Sequence, residues 1–142
     1  MSRRSRTGFP LDELPLFADA KPTELRIANK LLTEMTLGAG RVLTQQGRRG
    51  DAFLIVIDGL VDVTRDDGHE SKNLGFVSSG DVLGEMSLLH RTARSATATT
   101  LTRTTVLTAT PREFYSLLEA VPSVGDRVKE TATARLRANI AA

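Results

Sequence analysis

The stretch GEMSLLHRTARSA, residues 84 to 96, decides how the whole chain is read. A glycine and a carboxylate open it; a guanidinium and a hydroxyl close it. Met86 to Leu89 is apolar but too short for a full helix, so the pattern predicts a short helical turn starting just after Gly84. The backbone N–H groups at such a start lack intrahelical acceptors, and glycine allows close approach, which makes an anion site. Arg94 returns at the end of the loop with a cationic fork that can pair bidentately with phosphate. Ser95 adds a hydroxyl. Glu85 is repelled by a phosphate but can accept hydrogen bonds from sugar hydroxyls beside it. An anion clamp next to a hydroxyl acceptor fits a ribose phosphate. The plainer alternative is an ordinary Glu85–Arg94 ion pair, since such pairs are common.

The flanking sequence reads as short strands punctuated by glycine. Val42-Leu43 opens one strand, and Ala52 to Asp58 is an apolar run of buried-strand length. Leu60 to Arg65 follows Gly59, with Val61 and Val63 on one face. Asp66-Asp67-Gly68 predicts a hairpin turn, and Lys72 to Val77 is the return strand. Threonine crowds residues 95 to 110, which predicts strands over 95–101 and 104–109. Leu25, Ala28, Leu31, Leu32 and Met35 recur at three and four and predict a helix over Thr23 to Glu34. Pro111 starts a helix over Arg112 to Ala120, Pro122 breaks it, and Ser123 to Ile140 forms a last helix. The fold class expected is α+β, mostly β. It would be a small double-stranded β-helix, or jelly roll, with an N-terminal helix and two C-terminal helices.

Length and composition fit this plan. The 142 residues are 40% hydrophobic and 25% charged, which suits one domain with one core. Residues 1–10 read as a flexible basic tail carrying Arg3, Arg4 and Arg6, and 11–142 as the single domain. A net charge of +2 gives little electrostatic argument for nucleic acid. The absence of cysteine removes thiolate chemistry and disulfides and suits a cytoplasmic protein. No apolar run approaches the roughly 20 residues of a membrane span. His69 and His90 stand alone, so no metal is expected. Gly38-Ala-Gly40 lacks the third glycine of a dinucleotide fingerprint, and no nucleophile elbow or Ser-His-Asp arrangement is marked out, so no enzyme is expected.

Segment 84–96 resembles the phosphate-binding cassette of the cyclic-nucleotide-binding domain family. That family is known from bacterial catabolite activators, regulatory subunits of cAMP-dependent kinase and gated channels. Gly84, Glu85, Met86, Ser87, Leu88 and Leu89 match the first part of its pattern, and Arg94, Ser95 and Ala96 the last. The likeness extends over roughly residues 14 to 138, through Leu14-Pro15-Leu16-Phe17, Gly40-Arg41-Val42-Leu43, Gln46-Gly47, Ile57-Asp58-Gly59 and Gly80-Asp81. Two positions depart from the pattern. Ala93 replaces the usual proline, and Arg91 stands where glycine is frequent.

The resemblance implies a sensor without chemistry of its own, binding cAMP in preference to cGMP. The Arg-Ser-Ala ending is similar to the catabolite activator branch. It implies that the amides around Ser87, together with Arg94, hold the cyclic phosphate. Glu85 and Gly84 would hold the ribose 2′-hydroxyl, and Ser95 would touch the phosphate or the base. Met86 and Ala96 complete the cassette, and Val63 and Leu74 line the base pocket. Thr131 and Arg135 are candidates to cap the base, by position. No cofactor is expected beyond the nucleotide ligand. The C-terminal helix would repack on binding and signal to an effector protein, or meet a second copy. The helix-turn-helix of full regulators would follow that helix, and the chain ends at Ala142, so no DNA-binding domain is expected. The competing expectation is a jelly roll that binds no nucleotide and serves as an interaction or dimerisation module.

Overall fold

The computed structural model describes residues 3–6 and 8–138. These form nine strands: β1 Arg3–Arg6, β2 Thr33–Leu37, β3 Val42–Thr44, β4 Phe53–Asp58, β5 Leu60–Asp66, β6 Ser71–Ser78, β7 Val82–Leu83, β8 Thr97–Thr100 and β9 Thr104–Ala109. Helices are α1 Pro22–Leu31, α2 Glu85–His90, α3 Pro111–Ala120 and α4 Pro122–Arg137, preceded by two 3-10 turns, Leu11–Glu13 and Pro15–Phe17. One sheet runs β1-β2-β9-β4-β7 and the other β3-β8-β5-β6. The named strand pairs are antiparallel. This is the expected jelly roll with helices packed on one side.

The apolar run of β4 does not alternate because both its faces are covered. Leu54 and Val56 point into the roll with Val61, Val63, Val77, Leu83, Ala98 and Val106. Phe53, Ile55 and Ile57 point the other way, into a second cluster. There they meet Phe17, Ala28 and Leu32 from the N-terminal elements and Phe114, Leu117, Val124 and Val128 from α3 and α4. The Phe53 and Phe114 rings lie 4.8 Å apart. The helical layer is thus seated on the sheet that also carries β7, the strand leading into residues 84–96. Gly59, between β4 and β5, is forced by its neighbours. Its φ is +110°, and a Cβ there would lie 2.8 Å from the Thr104 backbone.

Helix α3 begins with a reciprocal cap. The Glu113 N–H donates to Thr110 Oγ1 at 3.2 Å, and the Thr110 N–H donates to Glu113 Oε1 at 2.9 Å. Thr110→Ala should lower unfolding free energy by about 1 kcal/mol, read as a shift of the urea midpoint at constant slope.

Three expectations change. The first helix ends at Leu31, and residues 33–37 form β2 rather than continuing it. Threonines 33 and 36 disfavour helix, and β9 offers an edge on which Met35 pairs with Val106. Met35 therefore packs towards the roll interior while Leu32 serves the helical cluster. The N-terminal segment, expected as a free tail, contributes β1, antiparallel to β2 in the register Arg3↔Thr36. An open sheet edge supplies unpaired N–H and C=O groups that such a segment can use. The last helix, expected over Ser123 to Ile140, spans Pro122–Arg137 and buries Val124, Val128 and Ala132, whereas Leu136 is 63% exposed; Ile140 lies outside the described residues. No helix among the described residues is long and apolar enough to cross a membrane.

Candidate functional site

Residues 84–96 form a closed loop on one edge of the roll. Gly84 holds φ +89° at the start of α2, and a Cβ there would lie 2.5 Å from both the Ala52 carbonyl oxygen and Arg94 Nη1. Only glycine lets β7 turn into α2 while Arg94 passes this close. Helix α2 has six residues and ends at Arg91 in the left-handed region, φ 52°. The return limb is strapped to the loop before β4: Gly47 N–H donates to the Arg94 carbonyl at 2.8 Å and Arg94 N–H to the Arg48 carbonyl at 2.7 Å.

This strapping buries Arg94, which is 3% exposed. Its Nη1 donates to Ser87 Oγ at 2.7 Å and its Nη2 to the Ala52 carbonyl at 2.6 Å. Burial pulls its pKa down, and the charges of Asp51 and Glu85 oppose that shift. The guanidinium stays cationic and is held in one orientation. A guanidinium has five N–H donors, so the two bonds to Ser87 and Ala52 leave donors for an anion.

Glu85, at the other end of α2, is fully buried. Arg135 of α4 reaches it across 50 positions of sequence, with Nη1 at 2.5 Å from Oε1 and 3.0 Å from Oε2. Burial pushes the Glu85 carboxyl above its ordinary value, and Arg135 works against that shift. Arg135 also lines a cleft of about 350 Å³ with Val63, Leu74, Leu83, Asp81 and Ala134. The volume falls within the range of small-molecule sites. An ion pair and an apolar cleft therefore meet at α4.

The predicted site residues fall into three groups. Gly84, Glu85, Ser87 and Arg94 are brought together at α2, and Val63, Leu74 and Arg135 meet in the cleft. Ser95 is exposed beside them, its carbonyl accepting from Arg65 Nε at 2.9 Å. Met86 and Ala96 are packing residues: Met86 clusters with Ala132 of α4, and Ala96 is buried in the roll. Thr131 lines a separate pocket of about 270 Å³ with Pro15, Ser79 and Arg127. It is one helical turn from Arg135, on a part of α4 that faces the N-terminal turns. Sequence reasoning missed Asp51 and the Ala52 carbonyl, which flank Arg94. The Gly50-Asp51 pair reads only as a turn, and no side-chain pattern announces a backbone acceptor.

The family model for the cyclic nucleotide-binding domain matches residues 34–121. The "Cyclic AMP receptor protein" of Thermus thermophilus is 29% identical over 124 residues, covering 87% of this chain and 57% of that protein. A "cAMP-dependent protein kinase regulatory subunit" of Yarrowia lipolytica is 33% identical over 119 residues, 84% of this chain and 31% of that protein. The crystal structure of the Thermus thermophilus catabolite activator protein superposes with a TM-score of 0.78 at 29% identity, over 87% of this chain and 58% of that one. The chain thus spans about half, or less, of the length of these relatives.

Proposed function

From the fact that the chain belongs to the cyclic nucleotide-binding domain family, we propose that it is a sensor that binds a cyclic nucleotide, cAMP before cGMP, across α2 and the α4 cleft. The observation that carries this reading is the placement of two buried, opposite charges. Arg94 and Glu85 stand at the two ends of the 84–96 loop, and an apolar cleft opens where Arg135 meets Glu85. Arg94 offers its remaining N–H groups to the cyclic phosphate. A carboxylate has about four acceptor sites, so Glu85 accepts the ribose 2′-hydroxyl while keeping Arg135. Val63 and Leu74 receive the base.

The sugar then touches a residue that α4 also holds, so the nucleotide favours the arrangement in which α4 is docked. A nucleotide binding docked and released forms equally would shift nothing. The signal passes through α4 to an effector. The names of the relatives support cAMP. Competition of cGMP against labelled cAMP tests the preference: weaker displacement by cGMP is expected, and equal or stronger displacement contradicts it.

One observation favours the second reading, an interaction module that binds no nucleotide. Both charges already have internal partners, Ser87 and Ala52 for Arg94 and Arg135 for Glu85. Thermal melts separate the two readings. A sensor gains about 2.7 kcal/mol at a ligand concentration of 100 Kd and melts higher, whereas an interaction module melts at the same temperature with or without cAMP.

A further inference from the structure

A second cleft opens beside the 84–96 loop and shares no lining residue with the α4 cleft. It is about 640 Å³ in volume and is walled by the loop before β4, by Ser87 and Leu88 of α2, by residues 91–93 and by the start of α3. Leu88, Pro111 and Tyr115 supply apolar surface, and Arg49, Arg91 and Thr92 supply polar groups. Both arginines are exposed, as are neighbouring Arg48 and Arg112. Among the described residues, neither Arg49 nor Arg91 has a side-chain hydrogen bond or ion pair. The nearest carboxylates in sequence are Asp51, whose charge also acts on Arg94, and Glu85, which is paired with Arg135.

Three features show that this cleft is built rather than incidental. Arg49 and Ala93 form an isolated β-bridge that fixes the two loops against each other. Tyr115 Oη donates to the Leu88 carbonyl at 2.5 Å, tying α3 to the end of α2. Arg91 holds φ 52°, and it is the one non-glycine residue with positive φ among those described. Glycine would sit there without strain, so a long cation at this position works against local stability and points to a use for the charge.

We propose that this cleft docks an acidic segment of a partner protein. Unpaired arginines at the rim meet carboxylates, and the Leu88, Pro111 and Tyr115 floor takes the apolar part of an extended chain. A small free anion would leave most of that floor uncovered. The partner would touch α2 and α3 together, so it would read the position of the 84–96 loop directly. The docking itself does not depend on the cyclic-nucleotide reading.

The test is fluorescence anisotropy with a fluorescein-labelled peptide of six glutamates and one leucine, without nucleotide. Saturable binding is expected, weakening steeply with salt and falling about tenfold in Arg49→Glu. Arg91→Gly should weaken binding several-fold while the melting temperature holds or rises, which separates lost docking from lost folding. Arg103→Glu, on the β8–β9 turn, should bind like the native chain. Native-like binding by Arg49→Glu and Arg91→Gly overturns the proposal, as does equal weakening by Arg103→Glu. Displacement by equimolar tripolyphosphate also overturns it and assigns the cleft to a free phosphorylated ligand.

Discussion

Arg94→Ala should weaken cAMP binding at least about a hundredfold. The substitution removes a bidentate, charge-assisted contact to the phosphate in a buried setting. Hydrogen bonds to charged groups contribute about 1.5–3 kcal/mol, and each 1.4 kcal/mol is tenfold in affinity. Arg94 is 3% exposed and fixed by Ser87 and the Ala52 carbonyl, so it pays little ordering entropy when ligand arrives. The same two acceptors lose their donor in the variant, which should cost about 1–3 kcal/mol of stability. Calorimetric titration read beside a urea melt separates the two effects. Unchanged affinity in a folded Arg94→Ala protein would remove Arg94 from the site.

Arg135→Ala should lower stability by about 3 kcal/mol at neutral pH. Removing one partner of a buried pair leaves the other charge uncompensated. Glu85 is fully buried, and its carboxyl is already pushed up by burial from its ordinary 4.5 even with Arg135 present. Without Arg135 that rise grows. The folded variant then binds a proton more tightly than the unfolded chain, so its stability falls as pH rises from 4.5 through the raised folded value. The deficit against the native chain should therefore be largest at neutral pH and shrink in mild acid. Urea melts at pH 5 and pH 7 measure it. A deficit that stays constant or grows in acid contradicts the assignment. The variant should also bind cAMP about tenfold more weakly, because α4 is no longer held where the sugar meets Glu85.

How much of this was legible in the sequence follows from distance along the chain. Gly84, Glu85, Ser87 and Arg94 lie within one loop, so their spacing carries their geometry. The strands around Asp66-Asp67-Gly68 were legible for the same reason, since their partners are local. Strand β2 was not, because Leu31, Leu32 and Met35 keep helical spacing across a boundary that only pairing with distant β9 reveals. The Glu85–Arg135 pair joins residues 50 positions apart, and one face of α4 looks like another from sequence. That is why Arg135 and Thr131 were equal candidates before the structure put one in the cleft and the other in a neighbouring pocket. Met86 reads as part of the ligand loop, and it also packs between α2 and α4, a contact that its sequence position does not announce. The resemblance located the loop; the structure shows which of its residues face inward to pack.

The most direct test of the account is calorimetric titration of the native chain with cAMP. The account predicts saturable binding of one nucleotide per chain, with a melting temperature that rises with ligand. Absence of heat and of any melting shift at millimolar cAMP and cGMP would contradict it, and would leave the Glu85–Arg135 and Arg94–Ser87 contacts as the internal supports of a jelly roll that binds no nucleotide.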